Sequence, residues 1–285
     1  MGELDTFRTA VQTALPPFFR PLEVLERVPT TMARAAELGD AGAPEGATVV
    51  AEEQTAGRGR LGRPWVAPPG TALLVSVLLR PALAPSDLWL VASLAGVSLV
   101  DAVGELAAGA PHRPRVALKW PNDLLLDGRK AAGLLAEAGV HGDRLGWVAL
   151  GMGANVNQSP ADFPPEVAGT ATSLALATGA PVDRAALLGA WARRFEAGYR
   201  RLADGETGPL LAAYRDRLET LGLEVRADRL AGGPVVGTAV DLAPSGNLVV
   251  LTGSGARVEV ATADVRHLRP LAASGPPERR RPPNR

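Results

Sequence analysis

The 285-residue chain contains no cysteine, so disulfide frameworks, thiol nucleophiles and zinc–thiolate sites are excluded. Lysine is nearly missing as well: of 30 Lys and Arg residues only two, Lys119 and Lys130, are lysine. Histidine is scarce, and His112 falls in a Pro/Arg-rich loop that reads as surface rather than as a ligand. Net charge is absent, since 30 acidic residues balance 30 basic ones, which gives no basis for bulk nucleic-acid affinity. No charge-free apolar run reaches the roughly 18 residues needed to span a membrane. The nearest, Leu88 to Val100, stops at Asp101. The first 20 residues carry acids and no continuous apolar stretch, so no signal peptide is read there. These absences fit a cytoplasmic protein. What is plentiful, with 46% hydrophobic residues, suffices for a sizeable core. The preference for arginine together with Ala, Gly and Pro follows genomic base composition rather than function.

Both lysines fall in one stretch, Leu118 to Glu137, which contains Lys119-Trp-Pro-Asn122-Asp123 and Lys130-Ala-Ala-Gly133. An ammonium is a compact point charge and a guanidinium a planar fork, so lysine kept only here points to charge needed at one atom. The pattern predicts a strand over Val116–Trp120, a stop at Pro121-Asn122-Asp123 and a second run over Leu124–Leu126. Asp127-Gly128 is a two-residue hairpin signal, with the return strand over Arg129–Ala138. Lys130 then lies beside the Asn122/Asp123 corner, and Gly133 leaves room for something to approach the backbone.

A second cluster runs from Gln54 through Gly57-Arg58-Gly59-Arg60-Leu61-Gly62-Arg63-Pro64-Trp65. It satisfies G-x-G-x-x-G in form, yet Pro64 and Pro68-Pro69-Gly70 forbid the helix that a dinucleotide turn must open, and the expected acid is missing. A nicotinamide-dependent dehydrogenase is therefore disfavoured. Arginines interleaved with glycines make a flexible cationic loop able to fold over an anion, and Trp65 offers a ring for a base. A third cluster, Gly151-Met-Gly153-Ala-Asn155-Val-Asn157, is expected to bend the strand it ends and to place two carboxamides on one side.

Elsewhere a short helix ends near Pro16-Pro17, and Leu22–Val28 reads as a strand. Thr30 or Thr31 caps a helix to Leu38, stopped by Gly39, before a strand over Ala47–Gln54. Thr71–Leu79 is apolar enough to be a central strand, and Ser86 is expected to cap a long helix to about Ala108. A turn is expected at Gly139–Gly142 and a short helix or turn at Thr172–Thr178. Asp183 caps a helix to Ala203, and Thr207 one to Leu221 that Gly222 ends. Thereafter short strands at Leu223–Ala227, Val235–Leu242, Leu248–Thr252 and Arg257–Ala261 predict a small all-β barrel. The division is 1–222, 223–271 and a disordered tail over 272–285.

In this order and spacing the three clusters and the terminal barrel resemble the biotin–protein ligase family (biotin–[acetyl-CoA carboxylase] ligases), over roughly residues 20 to 270. The resemblance implies an α+β fold: a class-II-synthetase-like mixed β-sheet flanked by helices, then an SH3-like β-barrel. It implies a two-step reaction, in which biotin and MgATP give biotinyl-5′-AMP and pyrophosphate before the biotinyl group passes to a lysine. The acceptor is a biotin carboxyl carrier protein domain of an acyl-CoA carboxylase. Lys130, Arg60 and Asp123 would be catalytic, with Asp123 either orienting the acceptor amine or bracing Lys119 or Asn122. Thr30, Thr31, Gln54, Arg58, Gly59, Arg60, Lys130 and Gly133 would meet biotin, and Arg60, Arg63, Trp65, Asn122 and Asn155 the nucleotide. Where the family often carries Ser-Thr-Asn this chain reads Thr30-Thr31-Met32, and Met32 cannot supply an amide. The family's optional DNA-binding extension is absent, so the resemblance implies a ligase without repressor function, with no nucleic-acid or membrane partner. A homodimer through a sheet edge at Ala138 to Trp147 is a further expectation. The rival is lipoate–protein ligase, which shares fold and adenylate chemistry; the Arg-rich loop and the barrel favour biotin.

Overall fold

A computed structural model describes residues 2–141, 144–229, 232–261 and 263–267. The expected tail over 272–285 lies outside the described residues. The chain divides into two compact units after Glu219.

The first unit holds α1 (Glu3–Ala14), β1 (Leu22–Val28), α2 (Thr31–Asp40), β2 (Thr48–Gln54) and β3 (Ala72–Leu79). It continues through α3 (Leu88–Leu106), β4 (Val116–Lys119), β5 (Asp123–Leu126), β6 (Arg129–His141) and β7 (Arg144–Asn155). The helices α4 (Leu174–Thr178), α5 (Arg184–Ala203) and α6 (Thr207–Arg217) complete it. Seven strands form one sheet in the order β1-β2-β3-β7-β6-β5-β4. Only β1 and β2 are parallel, with α2 as the crossover between them, so the sheet is mixed. All eight residues of β3 are buried, as befits an apolar strand covered on both faces.

Helix α2 covers one face, where Met32 and Ala35 pack with Val49 and Ala149. The opposite face carries α3 and α5. Gly96 of α3 meets Leu118 and Leu134 of the sheet, and Trp191 of α5 donates its indole N–H to Ala95 O. Pro85–Gly109 is long and apolar enough by composition to cross a membrane, yet 67% of its most apolar window is buried in this unit, so a core position accounts for its character.

Local chemistry sets the boundaries. Thr30 caps α2 by accepting from the Met32 and Ala33 N–H groups, and Asp183 caps α5 in the same way. Asp127 and Gly128 both take positive φ, 48° and 75°, as a tight hairpin demands. Several expected boundaries are corrected. Gly39 does not stop α2, which continues to Asp40; the missing side chain serves a neighbour, since a Cβ there would come 2.7 Å from Trp147 Cγ. A 3₁₀ turn at Pro85–Asp87 precedes α3, so Asp87 rather than Ser86 occupies the N-cap, without a side-chain cap. Gly139 belongs to β6, and Trp147 of β7 lies across it where a turn was expected. Helix α6 ends at Arg217, short of Leu221, and Glu206 precedes it at the cap position.

The second unit is a five-stranded antiparallel sheet: β8 (Glu224–Arg229), β9 (Val235–Leu242), β10 (Leu248–Thr252), β11 (Arg257–Val260) and β12 (Ala263–His267). The order is β11-β10-β9-β8-β12. Val225, Ala227, Ala239, Leu248, Val250, Val260 and Val265 form its buried side. Strand β12 was not expected, since Ala-Asp-Val-Arg-His carries a single β-branched residue.

Candidate active site

On the α2 face, three glycines of adjacent strands remove every side chain from one strip of the sheet. Gly133 of β6 pairs with Gly153 of β7, and Gly151 lies two residues back on the same side. The Gly151–Asn155 segment stays in residue-by-residue register with β3, so the expected bend is not there. The bareness admits large neighbours. A Cβ on Gly153 would come 2.8 Å from Trp65 Cε2, and one on Gly133 3.4 Å from Trp65 Cζ3, so the indole lies on this floor. Farther along, a Cβ on Gly151 would stand 2.6 Å from Cγ and Sδ of Met32. The space expected at Gly133 is thus taken up by Trp65, whose Nε1 is buried with no partner among the described residues.

Lys130 stands at the same place. Its ammonium lies 5.7 Å from the Trp65 ring centroid, close enough for a cation–π contact, and 2.6 Å from Asp123 Oδ1. Apart from this ion pair, that oxygen is sealed from solvent and has no hydrogen-bond partner among the described residues. A register shift between Leu124 and Leu125 brings the corner together, with Asp123 opposite both Lys119 and Gly133. Asn122 is engaged with the backbone: it donates from Nδ2 to Leu134 O at 2.6 Å, while Leu134 N–H donates to Asn122 O. Beneath, Tyr214 of α6 donates to Pro121 O at 3.0 Å. Burial pushes the Tyr214 phenol above its ordinary 10.0, against the pull of the hydrogen bond from Ser93 and of the Arg60 charge.

The loop from Gly57 to Trp65 is folded back on itself. Gly59 N–H donates to Arg63 O, and Trp65 N–H to Gly57 O, about a 3₁₀ turn at Arg60–Gly62 in which Leu61 has φ 57°. Arg58 pairs with Glu137 of β6 at 3.3 Å, both side chains being about half exposed (51% and 43%). At the start of α2, Thr31 donates its N–H and its hydroxyl to Gln54 Oε1, at 2.8 and 3.1 Å. Asn155, expected to face the nucleotide, donates from Nδ2 to Thr172 O and accepts from Gln158 Nε2. Asn157 points to Val182 instead of sharing Asn155's partners.

Tyr214, Glu137, Gln158 and Ser76 were not anticipated as neighbours of these residues. Only Ser76 left a signal, a hydroxyl in an otherwise apolar strand. No cluster of three or more His, Asp or Glu that could hold a metal occurs among the described residues.

A mixed sheet with a glycine floor, a folded arginine loop above it and a paired lysine at its edge describes a class, the ligases that attach biotin or lipoate to proteins. Residues 24–155 match the Biotin/lipoate A/B protein ligase family and residues 220–268 the Biotin protein ligase C terminal domain. The chain is 36% identical over 236 residues to the Bifunctional ligase/repressor BirA of Bacillus subtilis, covering 83% of this chain and 70% of that protein. It is 39% identical over 258 residues to the Biotin--[acetyl-CoA-carboxylase] ligase of Mycobacterium tuberculosis, covering 88% and 90%. The solved biotin protein ligase from Aquifex aeolicus in complex with biotin and ATP is similar with a TM-score of 0.72 at 29% identity, over 88% of this chain and 100% of that one. The chain belongs to the biotin–protein ligase family.

Proposed function

We propose that this chain activates biotin with MgATP and transfers the biotinyl group to a lysine of a biotin carboxyl carrier protein domain. The observation that carries the reading is Lys130, held 2.6 Å from Asp123 at the edge of the glycine floor under the arginine loop. In the first step a biotin carboxylate oxygen attacks the α-phosphorus of ATP and pyrophosphate leaves. Two anions must be brought together, so positioned cations lower the barrier most. Lys130, Arg60 and Arg63 supply that positive field, and the chain from Gly57 to Trp65 must lift its indole from Gly133 and Gly153 to admit ligand. Thr30, Thr31, Gln54, Arg58, Gly59 and Gly133 are assigned to biotin, and Trp65, Asn122 and Asn155 to the nucleotide. Arg58 would exchange Glu137 for the ligand, and Asn155 one of its present partners.

In the second step the acceptor amine attacks the acyl carbon, AMP leaves, and the amine loses a proton. The acceptor's pKa of about 10.4 in water means that a base must take that proton. Asp123 is assigned to orient the amine once Lys130 turns to the adenylate, and bracing of Lys119 or Asn122 by the same carboxylate is compatible with this. The loop, closed over the anhydride, keeps water out.

The unit before Thr220 is assigned to catalysis. The reading also carries a cytoplasmic location, no nucleic-acid partner, and a homodimer through the free edge of the β6–β7 hairpin. ATP–pyrophosphate exchange with biotin and with lipoate tests the whole: biotin-dependent exchange is expected, and exchange with lipoate alone overturns it.

A further inference from the structure

Ser76 is fully buried in the middle of β3, the one polar side chain of that strand. Its hydroxyl donates to Thr31 Oγ1 at 2.8 Å. Thr31 Oγ1 in turn donates to Gln54 Oε1 at 3.1 Å, and the Thr31 N–H donates to the same oxygen at 2.8 Å. The direction of this relay is forced. A backbone N–H can only donate, so the atom of Gln54 that faces it is the carbonyl oxygen. The Thr31 hydroxyl, next to that oxygen, must give its proton to it and can then only accept from Ser76. Two donors thus occupy Oε1, and Nε2 is left on the side of Gly57, where a Cβ would come within 3.1 Å of it.

We propose that Ser76 is a positioning residue which, through Thr31, fixes Gln54 with its amide NH₂ presented to biotin, so that this point of the site selects a hydrogen-bond acceptor, the ureido carbonyl oxygen. Without the Ser76 proton the Thr31 hydroxyl is free to turn, Oε1 loses one of its two anchors, and the carboxamide can present either end. Gly151 lies opposite Ser76 in the sheet, and a Cβ there would meet both the Ser76 hydroxyl and the apolar Met32 side chain, so this side of the relay is closed by backbone and a thioether. The inference rests on the reading that Gln54 meets the biotin ureido ring.

A double-mutant cycle on Ser76→Ala and Gln54→Ala in the full chain tests it, read as KM for biotin, KM for ATP and kcat in ATP–pyrophosphate exchange. Ser76→Ala is expected to raise the biotin KM about 3- to 10-fold, the worth of one hydrogen bond, with the other two constants within about twofold. In the Gln54→Ala background the same change is expected to do nothing more, because the relay then has no end. An unchanged biotin KM in Ser76→Ala, or an equal rise in both backgrounds, overturns the proposal. Should Ser76→Ala not fold, Ser76→Cys, a weaker donor of similar shape, is held to the same two criteria with a smaller rise. If Gln54→Ala alone leaves the biotin KM unchanged, the placement of Gln54 is wrong and the proposal falls with it. If the wild-type chain shows no biotin-dependent exchange, the functional reading itself fails.

Discussion

An ammonium at position 130 and a guanidinium there are different instruments. Lys130 reaches Asp123 Oδ1 and the Trp65 face at once because its charge is compact and its stem flexible. Lys130→Ala is therefore expected to lower the exchange rate by about 10²–10³-fold, the range seen when one preorganised donor is removed, and Lys130→Arg to recover little of it. Stopped-time exchange assays at saturating biotin and ATP check this, and a variant within threefold of wild type would contradict it. Tyr199 supplies a prediction of another kind. Its phenol donates to Glu45 Oε1 at 2.5 Å, and burial first, then that bond, raise its pKa above the ordinary 10.0. The unfolded phenol ionises near 10 and the folded one only at higher pH, so its contribution is complete below pH 10 and is lost as pH rises from there. Denaturant titrations across the alkaline range should show wild type losing stability more steeply above that point than Tyr199→Phe. Equal slopes would remove Tyr199 from the account.

At the scale of elements, much was legible because local and tertiary signals agreed. Strands β1, β9 and β10 and helix α5 occupy the residues their patterns predict, the last set by the Asp183 cap. What was not legible depends on partners distant in sequence. Gly39 carries a helix-stop signal, but Trp147, more than a hundred residues on, needs its missing side chain. Gly39→Ala should raise local helix propensity by about 1 kcal/mol and yet destabilise the protein, by about 1–3 kcal/mol, because the new Cβ overpacks against the indole. Urea denaturation decides the sign. Likewise Gly133 and Gly153 were readable as open backbone, but nothing local says that Trp65 fills the opening. Gly153→Ala should displace the ring, seen as a shift in Trp65 emission against a Trp65→Phe control, with no shift if the ring lies elsewhere. Among the candidate site residues, Lys130 and Asp123 meet as their spacing suggested, whereas Arg58 and Asn155 take partners from β6 and from Thr172 and Gln158. Charged and amide side chains choose partners through space, and one sequence does not name them.

At the scale of the molecule, the β6–β7 hairpin outruns its neighbours. Strand β5 pairs with β6 only as far as Gly133, while β6 continues to His141 against β7, so that among the described residues no strand covers its other edge there, and Val140 is 53% exposed. If that edge joins a second copy, sedimentation with saturating biotin and ATP should give a dimer, and Val140→Pro, which deletes an edge donor, a monomer. A wild-type monomer under those conditions removes the idea. Another consequence concerns where this chain keeps its amines. Both lysine side chains belong to one corner, Lys130 bound to Asp123 and Lys119 in register opposite it, and the rest of the cationic surface is guanidinium. Guanidinium stays protonated and does not acylate readily. An acyl-adenylate that escaped the site would find almost no amine on this chain to label, so stray acyl groups should appear on bystanders and hardly at all on the enzyme.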